Sequence, residues 1–153
     1  MNWICKYFEE LSLKELYEIG RLRQEVFVLE QNCPYVDFDG KDYFCYHLMG
    51  MDDLGKLVAY SRIVPKGVSY DDYISIGRVI TSGLVRKSGL GRILMQESIS
   101  ACERLFGKSD IKISAQTYLL KFYQSLDFES TGKEYLEDDI PHTEMIRKLK
   151  KES

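Results

Sequence analysis

The sequence lacks the residue patterns on which metal centres and disulfide frameworks depend. Only two histidines occur, and the four cysteines, spread over the chain at Cys5, Cys33, Cys45 and Cys102, form no Cys-x-x-Cys pair. This spacing argues against a structural zinc site and against a disulfide scaffold, so we expect no metal. The thiols are therefore expected to stay reduced, which favours a cytoplasmic location.

Long apolar runs and an excess of positive charge are also missing. No stretch is long and apolar enough to span a bilayer, and the N-terminus has no basic region followed by an apolar core. We therefore expect neither a membrane segment nor a secretion signal. The net charge of -3 disfavours a nucleic-acid partner, because such binding depends on many neutralised phosphates. With no repeat or linker in 153 residues, we expect a single domain over 1–153.

The most informative stretch runs from Ser75 to Phe106. It begins with β-branched residues typical of a strand, passes through a basic loop with two glycines, and continues with apolar residues at helical spacing. Strand, glycine loop and helix in this order direct backbone N–H groups and the positive end of a helix dipole toward an anion. Because Arg86, Lys87 and Arg92 add positive charge, we interpret the loop as a phosphate-binding turn.

The spacing of the glycines excludes the two commonest phosphate loops. A Walker A loop has the form Gly-x-x-x-x-Gly-Lys-Ser/Thr, whereas five residues separate Gly83 from Gly89. A dinucleotide fingerprint would need a third glycine where Leu94 stands. The loop instead fits Arg/Gln-x-x-Gly-x-Gly/Ala through Arg86, Gly89 and Gly91, which resembles the pyrophosphate loop of the GNAT superfamily of acetyl-CoA-dependent N-acyltransferases. A solvated basic turn before an ordinary helix is the alternative that this short pattern leaves open.

Periodicity and turn signals predict the remaining elements. Ser12 and Glu15 form a capping box, which begins a helix that extends to about Leu29. The other predicted elements are strands at 2–8, 46–51, 56–64, 74–81, 111–115, 128–136 and 142–149, helices at 90–106 and 117–126, and a loop at 138–141 between the last two strands. The resulting order, β-α-β-β-β-α-β-α-β-β, predicts a mixed sheet with helices on its faces.

This order is that of the GNAT fold, and several blocks resemble the ElaA-type branch of that superfamily. They are Leu22–Tyr35 with Asp37 and Asp39–Gly40, Leu57–Ile63, Ile76–Ile80, Ala115–Gln116, Phe122–Ser125 and Tyr135–His142. The resemblance implies an α/β (α+β) fold with a GNAT-like mixed, mostly antiparallel sheet of about seven strands, flanked by helices and splayed at the central strands. It also implies acetyl-CoA as co-substrate, an amine acceptor, and a monomer or homodimer.

The resemblance assigns the cofactor to the glycine loop and to the strand before it. A main-chain N–H of Val79 or Ile80 would polarise the thioester carbonyl, and Gln116 would hydrogen-bond to the pantetheine arm. The cofactor-binding residues predicted in this way are Arg78, Val79, Ile80, Thr81, Arg86, Lys87, Ser88, Gly89, Leu90, Gly91, Arg92, Gln116, Phe122 and Tyr123.

For catalysis, the resemblance points first to Tyr123. Many enzymes of the superfamily place a tyrosine hydroxyl beside the coenzyme A sulfur, and Tyr123 lies in the Phe-Tyr-x-x-x-x-Phe context that the family uses. We therefore predict that Tyr123 is the general acid. The chain departs from the family at Asp127, where a glycine is usual; an aspartate also tolerates the positive φ that such a helix end requires.

The general base and the acceptor contacts are less narrowly determined. Because an amine is an ammonium ion at neutral pH, it must lose a proton before it attacks. Carboxylates and a histidine flank the expected acceptor entrance, and we consider Glu30 and His142 the leading candidates, with Asp37 and Glu144 as alternatives. His142 is equally a candidate substrate contact. The residues predicted to contact the acceptor are Arg23, Phe27 and Gln31.

Two charge patterns leave alternatives open. Arg23 and Arg62 lie in apolar segments, where each would either bind an acidic acceptor or form an internal ion pair. The acidic residues near the entrance favour a cationic amine acceptor, or else form a solvated loop; they are Glu30, Asp37, Asp39 and Asp42. Cys33, in the same region, is interpreted as a small packing residue.

Together these patterns predict an N-acetyltransferase. It would move an acetyl group from acetyl-CoA to a primary amine, either of a small molecule or of a lysine side chain, by direct attack in a ternary complex. The alternative from another functional class is a non-catalytic acyl-CoA-binding or sensor module.

Overall fold

The computed structural model describes residues 1–83 and 88–150. It contains seven strands, three α-helices and a π-helical segment. The strands are β1 (Asn2–Tyr7), β2 (Tyr46–Met51), β3 (Leu57–Val64), β4 (Ser75–Thr81), β5 (Ile111–Gln116), β6 (Phe128–Glu137) and β7 (Ile140–Arg147). The helices are α1 (Leu13–Arg23), the π-helical segment (Gln24–Glu30), α2 (Leu90–Phe106) and α3 (Leu120–Gln124). Within these residues, no helix is long and apolar enough to cross a membrane.

The strands form two antiparallel sheets that meet along β4 and β5. One sheet has the order β1-β2-β3-β4 and the other β5-β7-β6. A single parallel bridge, Ile74 to Ile111, joins them, and the Lys112 N–H donates to the Ile74 carbonyl at 3.1 Å. Beyond this bridge, the described residues of β4 and β5 form no further ladder pairs. The two strands therefore separate toward their carboxyl ends, Thr81 and Gln116, which confirms the predicted splay.

Two apolar cores flank the sheets. Helix α2 buries one face, including Leu94, Met95 and Cys102, against residues of both sheets. On the other side, α1 and the π-helical segment bury Leu22 and Phe27 against β2, β3 and β4. This layered arrangement fixes both strands that border the opening.

The predicted starts of the first two helices are confirmed, and the first helical stretch ends within one residue of the predicted Leu29, but as a π-helix. The helix predicted at 117–126 is shorter, because a 3-10 turn at Thr117–Leu119 precedes α3. The Ser12 hydroxyl accepts from the Glu15 N–H at 3.0 Å, and the Glu15 carboxylate accepts from the Ser12 N–H at 2.8 Å, which completes the capping box. The α-helical pattern ends at Arg23, and the chain continues as a π-helix to Glu30. Its wider turn appears in the hydrogen bond from the Cys33 N–H to the Val28 carbonyl, at 3.1 Å.

The closing hairpin is tighter than predicted. The sequence pattern predicts a loop at 138–141, but only Asp138 and Asp139 lie outside the strands. Both have positive φ, 50° and 63°, as a two-residue hairpin turn of this hand requires. Pro141 consequently lies within β7, opposite Leu136. Asp127 has a φ of 71°, so this aspartate adopts the conformation for which the family usually has glycine.

Candidate active site

A cleft of about 970 Å³ opens where β4 and β5 separate. Its walls come from β4, from the carboxyl half of β5, from the π-helical segment with the loop after it, and from the β6–β7 hairpin. The Tyr123 side chain on α3 completes the wall. Nearly all the elements predicted to carry chemistry therefore converge on one opening.

Strand β4 contains a β-bulge where it borders the cleft. In the register with β3, Tyr60 faces Ile80 and Arg62 faces Gly77, so Ser61 alone faces both Arg78 and Val79. Arg78 has a φ of 50°, which is unusual for a residue with a side chain. A bulge disrupts the ladder and redirects the backbone, and the four residues Arg78 to Thr81 all line the cleft.

The N-terminus of α2 presents backbone without side chains at two positions. Gly89 caps the helix with a φ of 81°, and a Cβ atom built at Gly89 or Gly91 would meet no heavy atom within 4 Å. Ser88 and Arg92 are exposed, and Arg92 donates to the Ser125 hydroxyl, whereas the Leu90 side chain is buried in the core. Arg86 and Lys87, the other predicted contacts in this loop, lie outside the described residues.

Tyr123 and Gln116 both line the cleft, but Phe122 is not part of its wall. The Phe122 ring packs against Tyr123 in an edge-on contact, with centroids 5.2 Å apart, and Phe128 contacts the other side of Tyr123 at 5.9 Å. Tyr123 is only 7% exposed, and this burial raises the pKa of its hydroxyl to about 12. At neutral pH the hydroxyl is therefore protonated and able to donate.

His142 is held in one orientation beside a carboxylate. It faces Gln116 across the β5–β7 ladder and lines the cleft. Its side chain is 7% exposed. Its Nδ1 lies 2.7 Å from the Ile140 carbonyl oxygen, which can only accept, so Nδ1 carries the proton. In the neutral ring Nε2 then has the free lone pair, and Glu137 Oε2 lies 3.3 Å from it. Nε2 is therefore the ring nitrogen that faces a carboxylate.

The π-helical segment and the hairpin supply the other predicted acceptor contacts and base candidates. Phe27, Glu30 and Gln31 all line the cleft. Glu144 lies there too, but its carboxylate accepts from the Thr131 hydroxyl at 3.1 Å and lies 3.7 Å from Lys112 Nζ. Glu144 is therefore engaged by a hydroxyl and lies near an ammonium group.

Arg23 does not face the cleft, contrary to its predicted contact with the acceptor. Its guanidinium is 1% exposed and donates to Asp37 Oδ2 and to Asp42 Oδ1, each at 2.6 Å. Arg62 donates to Asp39 at 2.8 Å and to Asp42 at 3.1 Å. The internal ion pair, one of the two alternatives for these arginines, is therefore the one that the structure contains.

We call the arginines Arg23, Arg62 and Arg78 with the aspartates Asp37, Asp39 and Asp42 the Arg–Asp network. Burial alone would raise the pKa of Asp39, but hydrogen bonds from Arg62 outweigh it and lower that pKa to about 2. The pKa of Asp42 is also lowered, because Arg23 outweighs the effect of burial. The predicted acidic cluster thus consists mainly of neutralised carboxylates, so it gives no support to a cationic acceptor.

The remaining features of the cleft are polar. Cys33 Sγ donates to the Asp138 carbonyl oxygen at 3.6 Å, which links the loop after the π-helical segment to the hairpin tip. Tyr135 donates to the Ser114 hydroxyl and stacks on His142, with an interplanar angle of 16°.

In the part of the chain that the structure describes, no three His, Cys, Asp or Glu side chains are grouped so that they could hold a metal ion.

Comparison with known proteins agrees with this geometry. A family model described as an acetyltransferase (GNAT) domain matches residues 37–149. The chain belongs to this family. A UPF0039 protein of Schizosaccharomyces pombe is 41% identical over 150 residues, which are 97% of this chain and 98% of that protein. ElaA of Escherichia coli is 37% identical over 151 residues, 97% of each chain.

Two crystal structures resemble this GNAT protein along nearly its whole length. An acyl-CoA N-acyltransferase from Pseudomonas aeruginosa is 42% identical and superposes with a TM-score of 0.89, covering 96% of this chain and 99% of that one. The ElaA structure from E. coli gives a TM-score of 0.88 over 97% of this chain and 100% of its own. Both the family and the fold that the sequence blocks predict are confirmed.

The described residues of this GNAT protein fit an acyl-CoA. The bare backbone at Gly89 and Gly91 leaves space for a bulky anion at the positive end of α2. From there, an extended arm would run along the bulged edge of β4 into the cleft. Acyl-CoA as co-substrate, the common property of the family, is therefore compatible with this chain.

Sequence reasoning gave no role to two residues that line the cleft, Ser114 and Tyr135. A signal existed for Ser114, because strand alternation places it on the same face of β5 as Gln116. Tyr135 begins one of the blocks that resemble the ElaA-type branch, but its place in the cleft follows only from the pairing of β6 with β7.

Proposed function

We propose that this protein transfers an acetyl group from acetyl-CoA to a primary amine by direct attack in a ternary complex. The observation that carries the proposal is the convergence, on one cleft, of a bulged strand, a protonated buried tyrosine and an oriented histidine. The fourth feature is the N-terminus of α2, where the backbone at Gly89 and Gly91 carries no side chain. Each of these four features corresponds to one requirement of the reaction.

Binding of the cofactor begins at α2. Backbone N–H groups from Ser88 to Gly91 would contact the pyrophosphate, and the helix dipole favours its negative charge. Arg92 would add a positive charge, as would Arg86 and Lys87. In this scheme Thr81 and Gln116 hydrogen-bond to the pantetheine arm from opposite sides of the cleft, while Phe122 supports the arm indirectly by packing against Tyr123.

The thioester would lie against the bulge. A main-chain N–H of Val79 or Ile80 donates to the carbonyl oxygen and stabilises the negative charge that develops there when the amine attacks. Such a donor needs no reorganisation during the reaction, because the backbone direction is already set by the fold. Removing a single donor of this type typically slows catalysis by about 100-fold or more.

Three proton transfers accompany the reaction. His142 Nε2 accepts the proton that the ammonium group must lose, and Glu137 stabilises the resulting imidazolium. Glu30 is the second candidate for this role. When the C–S bond breaks, the Tyr123 hydroxyl donates its proton to the leaving sulfur, and the second proton that the attacking nitrogen loses as the amide forms restores the hydroxyl. Burial raises the pKa of Tyr123 to about 12, so the hydroxyl carries its proton until the thiolate leaves.

The first test is calorimetric titration with acetyl-CoA, with ATP and NAD as controls. We expect acetyl-CoA to bind and neither ATP nor NAD to bind. Gly89→Glu should abolish the binding of acetyl-CoA, because this substitution places a carboxylate at the pyrophosphate and a side chain at positive φ. If neither acetyl-CoA, free coenzyme A nor a longer acyl-CoA binds, the proposal is wrong.

The second test separates an enzyme from a binding module. Thiol release is measured with an amine that the parent acetylates. We expect Tyr123→Phe to lower kcat by about 100-fold and to leave the Kd for coenzyme A unchanged. Tyr17→Phe is the matched control, because Tyr17 is 72% exposed on α1 and does not line the cleft. Binding of acetyl-CoA without turnover on any of a broad panel of small amines and lysine peptides would favour the acyl-CoA-binding alternative.

A further inference from the structure

Arg78 occupies an unfavourable backbone conformation at the centre of the bulge. Its φ of 50° lies in the left-handed region, which residues with a Cβ atom adopt only when the surroundings impose it. A glycine would adopt this conformation without cost, and Gly77 stands one position earlier in the same strand. The arginine must therefore be held in place by contacts of its own side chain.

Those contacts connect the bulge to the loop after the π-helical segment. Arg78 Nε lies 2.8 Å from Asp37 Oδ1, and Nη2 donates to the Asp37 carbonyl oxygen at 3.1 Å. Nη2 also lies 3.4 Å from Asp39 Oδ2. The rings of Phe27 and Tyr35 both lie 5.8 Å from the guanidinium carbon, so the group is confined by rings as well as by charges.

The acceptors of Arg78 are themselves fixed by the rest of the Arg–Asp network. Asp37 accepts from Arg23 Nε at 2.6 Å and from the Tyr35 hydroxyl at 2.9 Å. Asp39 accepts two hydrogen bonds from Arg62, at 2.8 and 3.1 Å. Since Arg23 and Arg62 are buried, this frame is anchored in α1 and β3, the elements that pack against the cleft.

We propose that Arg78 is a positioning residue: its ion pairs with Asp37 and Asp39 set the direction of the Val79 and Ile80 N–H groups. This inference rests on the proposed function, in which one of those groups donates to the thioester carbonyl. The guanidinium acts through the backbone of its own bulge and does not contact the reacting atoms. Displacing a donor by about 1 Å is enough to slow a reaction by about 100-fold.

Two substitutions at Arg78 distinguish positioning from relief of strain. Arg78→Ala removes the ion pairs and keeps the unfavourable φ, whereas Arg78→Gly removes both the ion pairs and the strain. Arg78→Lys keeps the charge but supplies a single point of contact. Arg21→Ala is the control, because it breaks two ion pairs, with Glu18 and Glu25, on an outer face of α1.

The measurements are kcat, the Kd for coenzyme A, and the hydrogen-exchange rates of the Val79 and Ile80 amides. We expect Arg78→Ala and Arg78→Gly both to lower kcat by about 100-fold and to speed amide exchange at these two positions by at least about tenfold. The Kd for coenzyme A should change less than about threefold, because the pyrophosphate contacts are elsewhere. Arg78→Lys should recover part of kcat, and Arg21→Ala should resemble the parent.

If Arg78→Gly matches the parent in kcat and in amide exchange, the side chain only offsets strain and the positioning role is refuted. Should Arg78→Ala fail to fold, Arg78→Gly still decides the question, since it carries no conformational penalty. The exchange measurement also separates this inference from the proposed function. If the parent acetylates no amine, the proposed function fails. Faster amide exchange at Val79 and Ile80 in the Arg78 variants would still support the positioning of the backbone.

Discussion

Asp42 is the carboxylate that two buried arginines share. Arg23 Nη1 donates to its Oδ1 at 2.6 Å, Arg62 Nη1 donates to the same oxygen at 3.1 Å, and its main-chain carbonyl lies 3.0 Å from His47 Nε2. We consider the substitution Asp42→Asn. It keeps the volume and one acceptor oxygen but removes the negative charge that both guanidinium groups face.

The expected cost follows from burial. Arg23 and Arg62 are 1% and 4% exposed, so water cannot replace the missing charge. Removing one partner of a buried ion pair typically costs about 3–5 kcal/mol, and the retained amide oxygen places Asp42→Asn near the lower end, at about 3 kcal/mol. For a protein of this size, that loss lowers the melting temperature by roughly 10 °C.

The assay is urea unfolding followed by far-ultraviolet circular dichroism. The midpoint should fall without a change in the m-value, because the surface exposed on unfolding stays the same. Arg21→Ala serves as the control: its ion pairs with Glu18 and Glu25 are about one-third exposed, and surface pairs of this kind contribute less than about 1 kcal/mol.

The pH dependence supplies an independent check. The folded-state pKa of Asp42 is lowered, so the unfolded state binds the proton more readily as the pH falls. The stabilisation is complete above the ordinary aspartate pKa of about 4 and is lost as the pH falls through the lowered value. The difference between the parent and Asp42→Asn should therefore shrink in acid. A loss below about 1 kcal/mol at neutral pH would refute the conclusion that Asp42 compensates the charges of two buried arginines.

Two further predictions concern packing and pH. Gly50→Ala should destabilise the protein by about 1–3 kcal/mol, because the new Cβ would lie 2.6 Å from Trp3 Cζ3. Trp3 is the only tryptophan, so the fluorescence of the Gly50→Ala variant should shift. The control is Gly91→Ala, whose new methyl group lies in open space and should leave the fluorescence unchanged. Equal unfolding midpoints for the two variants would contradict the clash. Burial lowers the pKa of His47, so stability should be complete above pH 6.5 and fall as the pH drops toward the folded-state value. Calorimetric melting of the parent and of His47→Gln tests this, and an equal acid sensitivity would contradict it.

Most elements of the fold could be predicted because they depend on local rules. The capping box at Ser12 and Glu15 satisfies its own helix end, and the apolar spacing of α2 needs no distant partner to be recognised. Gly107 has a φ of 77°, as the predicted helix end requires. The positions that failed depend on packing or strand pairing that a local residue pattern does not show. The first helix changes to a π-helix where it packs beside the cleft, and Pro141 is drawn into a strand by its pairing with Leu136.

The candidate site divides in the same way. The roles of Tyr123, His142 and Glu30 remain predictions, although all three residues line one cleft. Arg23 was assigned to the acceptor because an arginine in an apolar segment has the same local pattern whether it binds a ligand or an internal carboxylate. The positions of Asp37 and Asp42 in the folded chain distinguish the two.

By itself, the sequence determined the family, the order of the elements and the helix that begins at Leu90, because family blocks, periodicity, caps and glycine spacing are properties of short segments. The tertiary structure decided where charge remains free. Asp37, Asp39 and Asp42 look like an acidic entrance in the sequence, yet three arginines from α1, β3 and β4 neutralise them. Electrostatic interactions depend on distance in space and on burial, and neither quantity can be obtained from a pattern of residues along the chain.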